Sequence, residues 1–251
     1  MVSLIELIQK GKVPLHQFMD LDTINWIKKN KPSFNINNPP EYNFKDEIDH
    51  FLKEIKKYIP DPSWFLISEK MDSIHGMRHI LRVIFHSLFL IIISKDISSH
   101  SLKNSLVASS LHDLKRKNDL MDLYHGKRVA RWFKKNTSLI ENHYEIHLSQ
   151  RDIDEIYFGI SFHDVAYKKI EKNTNYKKYK ALTDILKTAD ALDRYRLPSL
   201  RLWFKDKFIS FIPPEYLKNM AYELVISSEI NFLKGLTNEN SVLMAIKELF
   251  Q

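Results

Sequence analysis

The sequence predicts an all-α protein, a core bundle of about five or six helices with helical extensions at both ends. Three observations carry this. No proline occurs between Pro62 and Pro198. Within that interval apolar residues recur at spacings of three and four, the repeat of one helix face. Few runs alternate with the period of two that a strand requires.

The elements follow in order. Residues 1–62 form an N-terminal helical extension. Met1 to Asn30 holds one or two short helices, marked by Leu4, Ile5 and Ile8 and then by Ile24 and Ile27. A loop through Pro32, Asn35, Asn37, Asn38, Pro39 and Pro40 follows. Phe44 to Tyr58 is an amphipathic helix with Ile48, Phe51, Leu52 and Ile55 on one face. Pro60 and Pro62 end it.

Residues 63–200 form the core. Its helices are marked by Ile80, Val83, Ile84 and Leu88, by Leu102, Leu106, Val107, Leu111 and Leu114, by Ile153, Ile156 and Ile160, and by Leu182, Ile185, Leu186 and Ala189. Polar breaks fall at Ser94 to Ser99, Lys115 to Asp119 and Lys172 to Tyr176. The longest apolar stretch, Phe85 to Ser94, is too short to span a bilayer, so it reads as a buried helix and no membrane span is expected. Residues 201–251 supply closing helices over Glu215 to Lys234 and Asn240 to Phe250, packing on the core.

Composition narrows the function. The 251 residues contain no cysteine, which removes disulfides and thiolate zinc sites and fits a cytoplasmic protein. No signal-peptide pattern opens the chain. The formal charge of +7 attracts anions and leaves nucleotides, nucleic acid and anionic lipid open, although a lysine-, isoleucine- and asparagine-rich composition also arises from an AT-rich genome. Five glycines form neither a dinucleotide fingerprint nor a P-loop, so a bound phosphate must be held by side chains and metal. Two of them follow histidines, His75-Gly76 and His125-Gly126, which suggests tight turns beside a site.

The chemistry centres on His112-Asp113, with His79 upstream and Asp190 downstream. Two imidazoles and two carboxylates suit a hard or borderline divalent cation, and manganese, iron, magnesium, cobalt and nickel all fit. A metal so held can activate water against a phosphate ester. His75 and His79 are four apart, so a helix would place them on one face beside Arg78 and Arg82. His112 and Asp113 would diverge by about 100° on a helix, so a shared ion must sit at the helix shoulder. His143 and His147 read as a solvated helix face, and His86 as a satisfied core histidine. Asp193 and Arg194 read as an ion pair that fixes packing, and Arg82 either as such a pair or as a cation that neutralises a phosphate.

These residues resemble the HD-domain metal-dependent phosphohydrolases, whose signature H…HD…D is ordered along a helical bundle. The match is His79, His112-Asp113 and Asp190. H-G-M-R-H-I-L-R-V, L-H-D-L-K-R-K-N-D with a following Y-H-G, and L-K-T-A-D-A-L-D-R-Y-R-L are similar to three separate stretches of that family, over roughly residues 63 to 200. The resemblance implies an HD-domain bundle holding one or two divalent ions on His79, His112, Asp113 and Asp190. His125, His163, His75 and Arg82 are the candidates for a second metal or for phosphate. Asp113 would take the proton of the attacking water, while Lys115 and Arg116 neutralise the phosphate. Lys115 departs from the family, where glycine is common. The implied substrate is a nucleotide or related phosphorylated small molecule. Two alternatives stay open. One is a nuclease on single-stranded nucleic acid, using Lys168, Lys169, Lys172, Lys177, Lys178 and Lys180 with Tyr167, Tyr176 and Tyr179 interleaved. The other is a non-catalytic module that senses a nucleotide or binds a protein. Self-association into a homo-oligomer is also left open.

Overall fold

A computed structural model describes residues 2–36, 48–94 and 99–250, and all of the regular structure in them is helical. The predicted loop residues Asn37 to Pro40, the first four residues of the predicted Phe44 to Tyr58 helix and the Lys95 to Ser98 part of the first polar break lie outside the described residues.

The bundle is organised around α4 (Met77–Ile93). Its sequence is apolar on nearly every side, and every residue from Met77 to Ile91 is buried. A helix with that pattern needs neighbours all round. It packs against α3 (Ile48–Lys57), α5 (Ser99–Leu111), α10 (Tyr176–Leu192) and α12 (Asn238–Leu249). The bundle is completed by α6 (His125–Lys135), which packs on α8 (Gln150–Phe162), while α8 also packs on α5 and α10. Ser149 and Asp152 form a reciprocal capping box at the start of α8. Asp152 also accepts from Asn104 at 2.7 Å, which ties α8 to α5.

The two ends of the chain close on this bundle. α1 (Leu4–Gln9) packs on α2 (Leu21–Lys29), and α2 packs on α11 (Glu215–Leu233), which pairs with α12. Trp203 stands edge-on to Trp26 at 6.0 Å, and the Tyr222 hydroxyl donates to the Ile27 carbonyl at 3.0 Å. One continuous hydrophobic cluster includes Leu4, Ile84 and Ile246, so all three sequence segments share a core.

Helix boundaries decide where the polar residues go. α4 begins at Met77, so His75 lies before the helix and not on its face. α5 stops at Leu111, and His112 and Asp113 occupy the turn beyond it. The two are therefore free of the 100° divergence that a continued helix would impose. The histidine–glycine pairs are not left-handed turns. A Cβ on Gly76 would stand 2.1 Å from the Met71 carbonyl oxygen, and one on Gly126 would stand 2.5 Å from that of Ile160. Both glycines permit a close backbone approach.

Candidate metal centre

Five helix ends meet at one place. His79 lies in the first turn of α4, His112 and Asp113 follow α5, His125 opens α6, His163 follows α8, and Asp190 lies in the last turn of α10. His79, His112 and Asp190 bring their ligand atoms within 4.8 Å of one another, and so do His112, Asp113 and His163. The Asp113 carboxylate joins the two groups. Its Oδ2 is 3.5 Å from His79 Nε2 and 4.0 Å from His112 Nε2, and its Oδ1 is 3.1 Å from His125 Nε2 and 3.6 Å from His163 Nε2. Asp190 Oδ1 is 3.5 Å from His79 Nε2.

The opposite nitrogen of each ring is fixed by an oxygen. His79 Nδ1 donates to Asp193 at 2.7 Å, His112 Nδ1 to the Ser109 carbonyl at 2.7 Å, His125 Nδ1 to the Asp122 carbonyl at 2.8 Å, and His163 Nδ1 to the Ile160 carbonyl at 2.8 Å. A carbonyl or carboxylate oxygen only accepts, so each neutral ring carries its proton on Nδ1 and points a lone pair inward from Nε2. Those lone pairs crowd together. His79 Nε2 is 3.1 Å from His112 Nε2, and His125 Nε2 is 3.0 Å from His163 Nε2. Asp113 Oδ1 is buried and accepts no hydrogen bond. Four lone pairs facing a carboxylate in the dry interior repel unless a cation lies between them. The donor set, imidazole nitrogens with carboxylates, fits a divalent ion of the borderline class, and the oxygen partner behind each ring matches the supporting shell of a metal site.

The titration of these groups follows their surroundings. Burial pushes His112 down to about 3, with the nearby His79 and His163 rings adding to it. Burial also works against a charged His163, but the Asp113 carboxylate beside it and the charges of Asp164 and Asp190 outweigh this and raise it. Burial disfavours a charged Asp113, yet Arg116, His112 and His125 together hold its carboxyl well below the usual range. Burial likewise opposes charge on Asp190, and His79, Arg194 and Arg196 lower it all the same.

Behind the cluster lies a buried charged lattice. Arg82 donates to Asp193 from Nε at 2.6 Å and to Glu229 from Nη1 at 2.8 Å. Arg78 donates to Glu229 at 2.9 Å. Arg82 thus supports Asp193, which orients His79, and serves as the packing ion pair rather than as a phosphate ligand. Arg196 approaches His79 Nε2 at 3.4 Å and is held by the Ile74 carbonyl at 2.6 Å. His75 is tied by Nδ1 to Asp119 at 3.0 Å, and its ring stands 5.8 Å from that of His79. Asp119 is in turn gripped by the Gln17 backbone N–H at 2.8 Å, the Ser73 hydroxyl at 3.1 Å and the Lys70 ammonium at 3.3 Å. Sequence reading missed Asp119, Arg196, Glu229 and the N-terminal clamp at Gln17. Asp119 and Arg196 stand inside the stretches L-H-D-L-K-R-K-N-D and L-K-T-A-D-A-L-D-R-Y-R-L but were given no role there, while Glu229 and Gln17 lie far along the chain from their partners and no local pattern marks them.

Three expectations change. Lys115 directs its ammonium to the Trp64 carbonyl and over the Trp132 ring at 4.3 Å, so it is committed elsewhere and not to the cluster. Arg116 does join it, with Nη1 at 3.7 Å from Asp113 Oδ1 and 3.3 Å from His125 Nε2. Tyr176 and Tyr179 are buried beside Phe158 and Ile170 and cannot stack on bases. His143 and His147 are exposed, as expected of a solvated pair, although α7 (Thr137–Tyr144) ends before His147. His86 is buried but not satisfied, since neither ring nitrogen has a partner.

Comparisons of the chain with protein-family models, curated proteins and solved structures found no match. The case for a metal centre therefore stands on the donor geometry of this chain. Among the described residues no helix is long and apolar enough to cross a membrane.

Proposed function

We propose that the protein is a metal-dependent phosphohydrolase built on an HD-domain bundle of α4, α5, α6, α8 and α10. The observation that carries this is the convergence of four imidazole Nε2 atoms on Asp113, with every Nδ1 tied to an oxygen. His79, His112, Asp113 and Asp190 would hold one divalent ion, and Asp113, His125 and His163 a second. A divalent ion in such a site lowers the pKa of bound water and polarises a phosphoryl oxygen.

The chain's own residues complete the chemistry. Asp113 Oδ2 faces His79 and His112, so with the first ion alone held there Oδ1, which has no hydrogen bond of its own, would be left to accept the proton of the attacking water. Arg116 and Arg196, flanking the cluster on opposite sides, neutralise charge on the phosphate as it develops. His75, held by Asp119 through Nδ1, keeps its Nε2 lone pair uncommitted beside the cluster, where it can accept a hydrogen bond from a bound water. The substrates that suit this site are nucleotides and related phosphorylated small molecules.

The test is a screen of phosphomonoesters, phosphodiesters and nucleotides with manganese, iron, magnesium, cobalt and nickel, with Asp113→Ala as control. Metal-dependent hydrolysis that Asp113→Ala lowers by about a thousandfold or more supports the proposal. No metal-dependent release from any substrate, or full activity in Asp113→Ala, would contradict it.

A further inference from the structure

We infer that the exposed face of the segment joining His163 to Asp190 docks single-stranded nucleic acid and leads it toward the metal centre. This rests on the phosphohydrolase reading of that centre and adds to its small phosphorylated substrates a polymeric one, single-stranded nucleic acid.

The segment runs through α9 (Tyr167–Ile170) into α10, and its two ends supply His163 and Asp190. Lys168, Lys169, Lys172, Lys177 and Lys178 are all exposed along it, and none forms an ion pair among the described residues. The burial of Tyr176 and Tyr179 anchors this stretch to the body of the protein, so the lysines stand on a fixed support and not on a loose loop. Lys187, one turn before Asp190, locks the same stretch by donating to the His163 carbonyl at 2.9 Å and the Val165 carbonyl at 2.7 Å.

A stacking surface lies alongside. Residues 206–211 follow α10. Ser210 meets Lys180 at 3.3 Å, and the Phe211 carbonyl accepts from Thr188, two residues before Asp190, at 3.0 Å. On this strip Phe208 is 59% exposed. Lysines that track phosphates beside an exposed aromatic ring are the recurring design of single-strand binding.

The centre itself selects a single strand. His79 and His112 are fully buried, and the cluster reaches solvent chiefly through Asp190 and Asp164, whose side chains are 19% and 20% exposed. Reaching so deeply buried a cluster suits a flexible strand or its end better than a rigid duplex. A helix lying in an anionic lipid surface carries large apolar side chains among its lysines. Among the described residues none is exposed between 164 and 180.

The experiment is fluorescence anisotropy of a labelled oligothymidylate with the full chain in the presence of a chelator, so that binding is read without hydrolysis. Failure of the docking face and failure of the phosphohydrolase reading are then separate results. Wild type should show log K falling against log salt with a slope of about −3.5, the value for five neutralised phosphates on a single strand. Changing Lys168, Lys169, Lys172, Lys177 and Lys178 to Gln should bring that slope close to zero. Changing Lys28, Lys29, Lys53, Lys56 and Lys57 to Gln removes the same charge from another part of the surface and should leave the slope in place. Phe208→Ala should weaken binding by about tenfold. Equal losses in the two lysine variants, or an unchanged slope in the first, would overturn the assignment. Tighter binding to vesicles containing phosphatidylserine than to the oligonucleotide would overturn it as well.

Discussion

His79 and His86 lie on the same helix, both fully buried, and they differ in everything else. His79 donates from Nδ1 to Asp193 and turns Nε2 toward His112, Asp113 and Asp190. His86, two turns further on, has no partner on either nitrogen. Burial alone does not make a histidine a ligand. What distinguishes His79 is an acceptor that fixes its tautomer and a set of donor atoms converging on its free lone pair. The oxygen partners are the informative part of the site: three are carbonyls of the turn just before their histidine, and only Asp193 comes from a distant part of the chain.

The comparison breaks most severely if Asp193 proves dispensable. Asp193→Ala leaves the Arg82 guanidinium without one of its two buried carboxylate partners and frees the His79 ring. The expected loss is about 3–5 kcal/mol of stability in denaturant unfolding, together with a 10- to 100-fold fall in metal affinity, as for other supporting residues of metal sites. Near-wild-type values in both measurements would show that the orienting carboxylate does not matter.

His86 sharpens the contrast through pH. Burial pushes it down to about 4, with the nearby Arg82 and His79 adding to this against the pull of Asp193. Unfolded, the same ring titrates near 6.5. Between these values the unfolded chain binds the extra proton, so stability is whole above about pH 6.5 and is lost as pH falls toward 4. The loss amounts to about 3 kcal/mol from this residue. His86→Leu should remove that acid-limb loss and raise stability at neutral pH by about 1 kcal/mol, because the buried unpartnered nitrogens are gone. An acid limb in His86→Leu as steep as in wild type would contradict the reading.

Gly126 offers a smaller effect on placement alone. A Cβ there meets the Ile160 carbonyl at 2.5 Å and the His163 ring at 3.0 Å. Gly126→Ala should cost about 1–3 kcal/mol in thermal or denaturant unfolding. It should also weaken metal binding more than its stability loss predicts, because it pushes His163 out of position. An unchanged metal affinity would separate α6 from the site.

Much of the bundle was legible in the sequence because helical spacing is a local signal. Ile80, Val83 and Ile84, or Leu182, Ile185 and Leu186, declare their buried face within one turn. The ligand candidates His79, His112, Asp113 and Asp190 were legible as residue types of the right chemistry, and the structure brings their side chains together. The supporting layer was not legible. Nothing local links Gln17 to Asp119 or Glu229 to Arg82, since those contacts exist only after N-terminal and C-terminal segments close on the core. Helix ends were the other blind spot. The stop at Leu111 and the start at Met77 decide the directions of Asp113 and His75, and neither break carries a strong capping residue. Lys115 was misread for a similar reason: its cation-binding partners, Trp64 and Trp132, come from separate parts of the chain.

The most direct measurement is calorimetric titration of the metal-free protein with manganese, comparing wild type, His112→Ala and His86→Leu. The account predicts saturable binding in wild type and in His86→Leu, and at least a 100-fold weaker constant in His112→Ala. Equal binding by His112→Ala and wild type, or no binding by wild type, would contradict the claim that these converging imidazoles and carboxylates hold a cation.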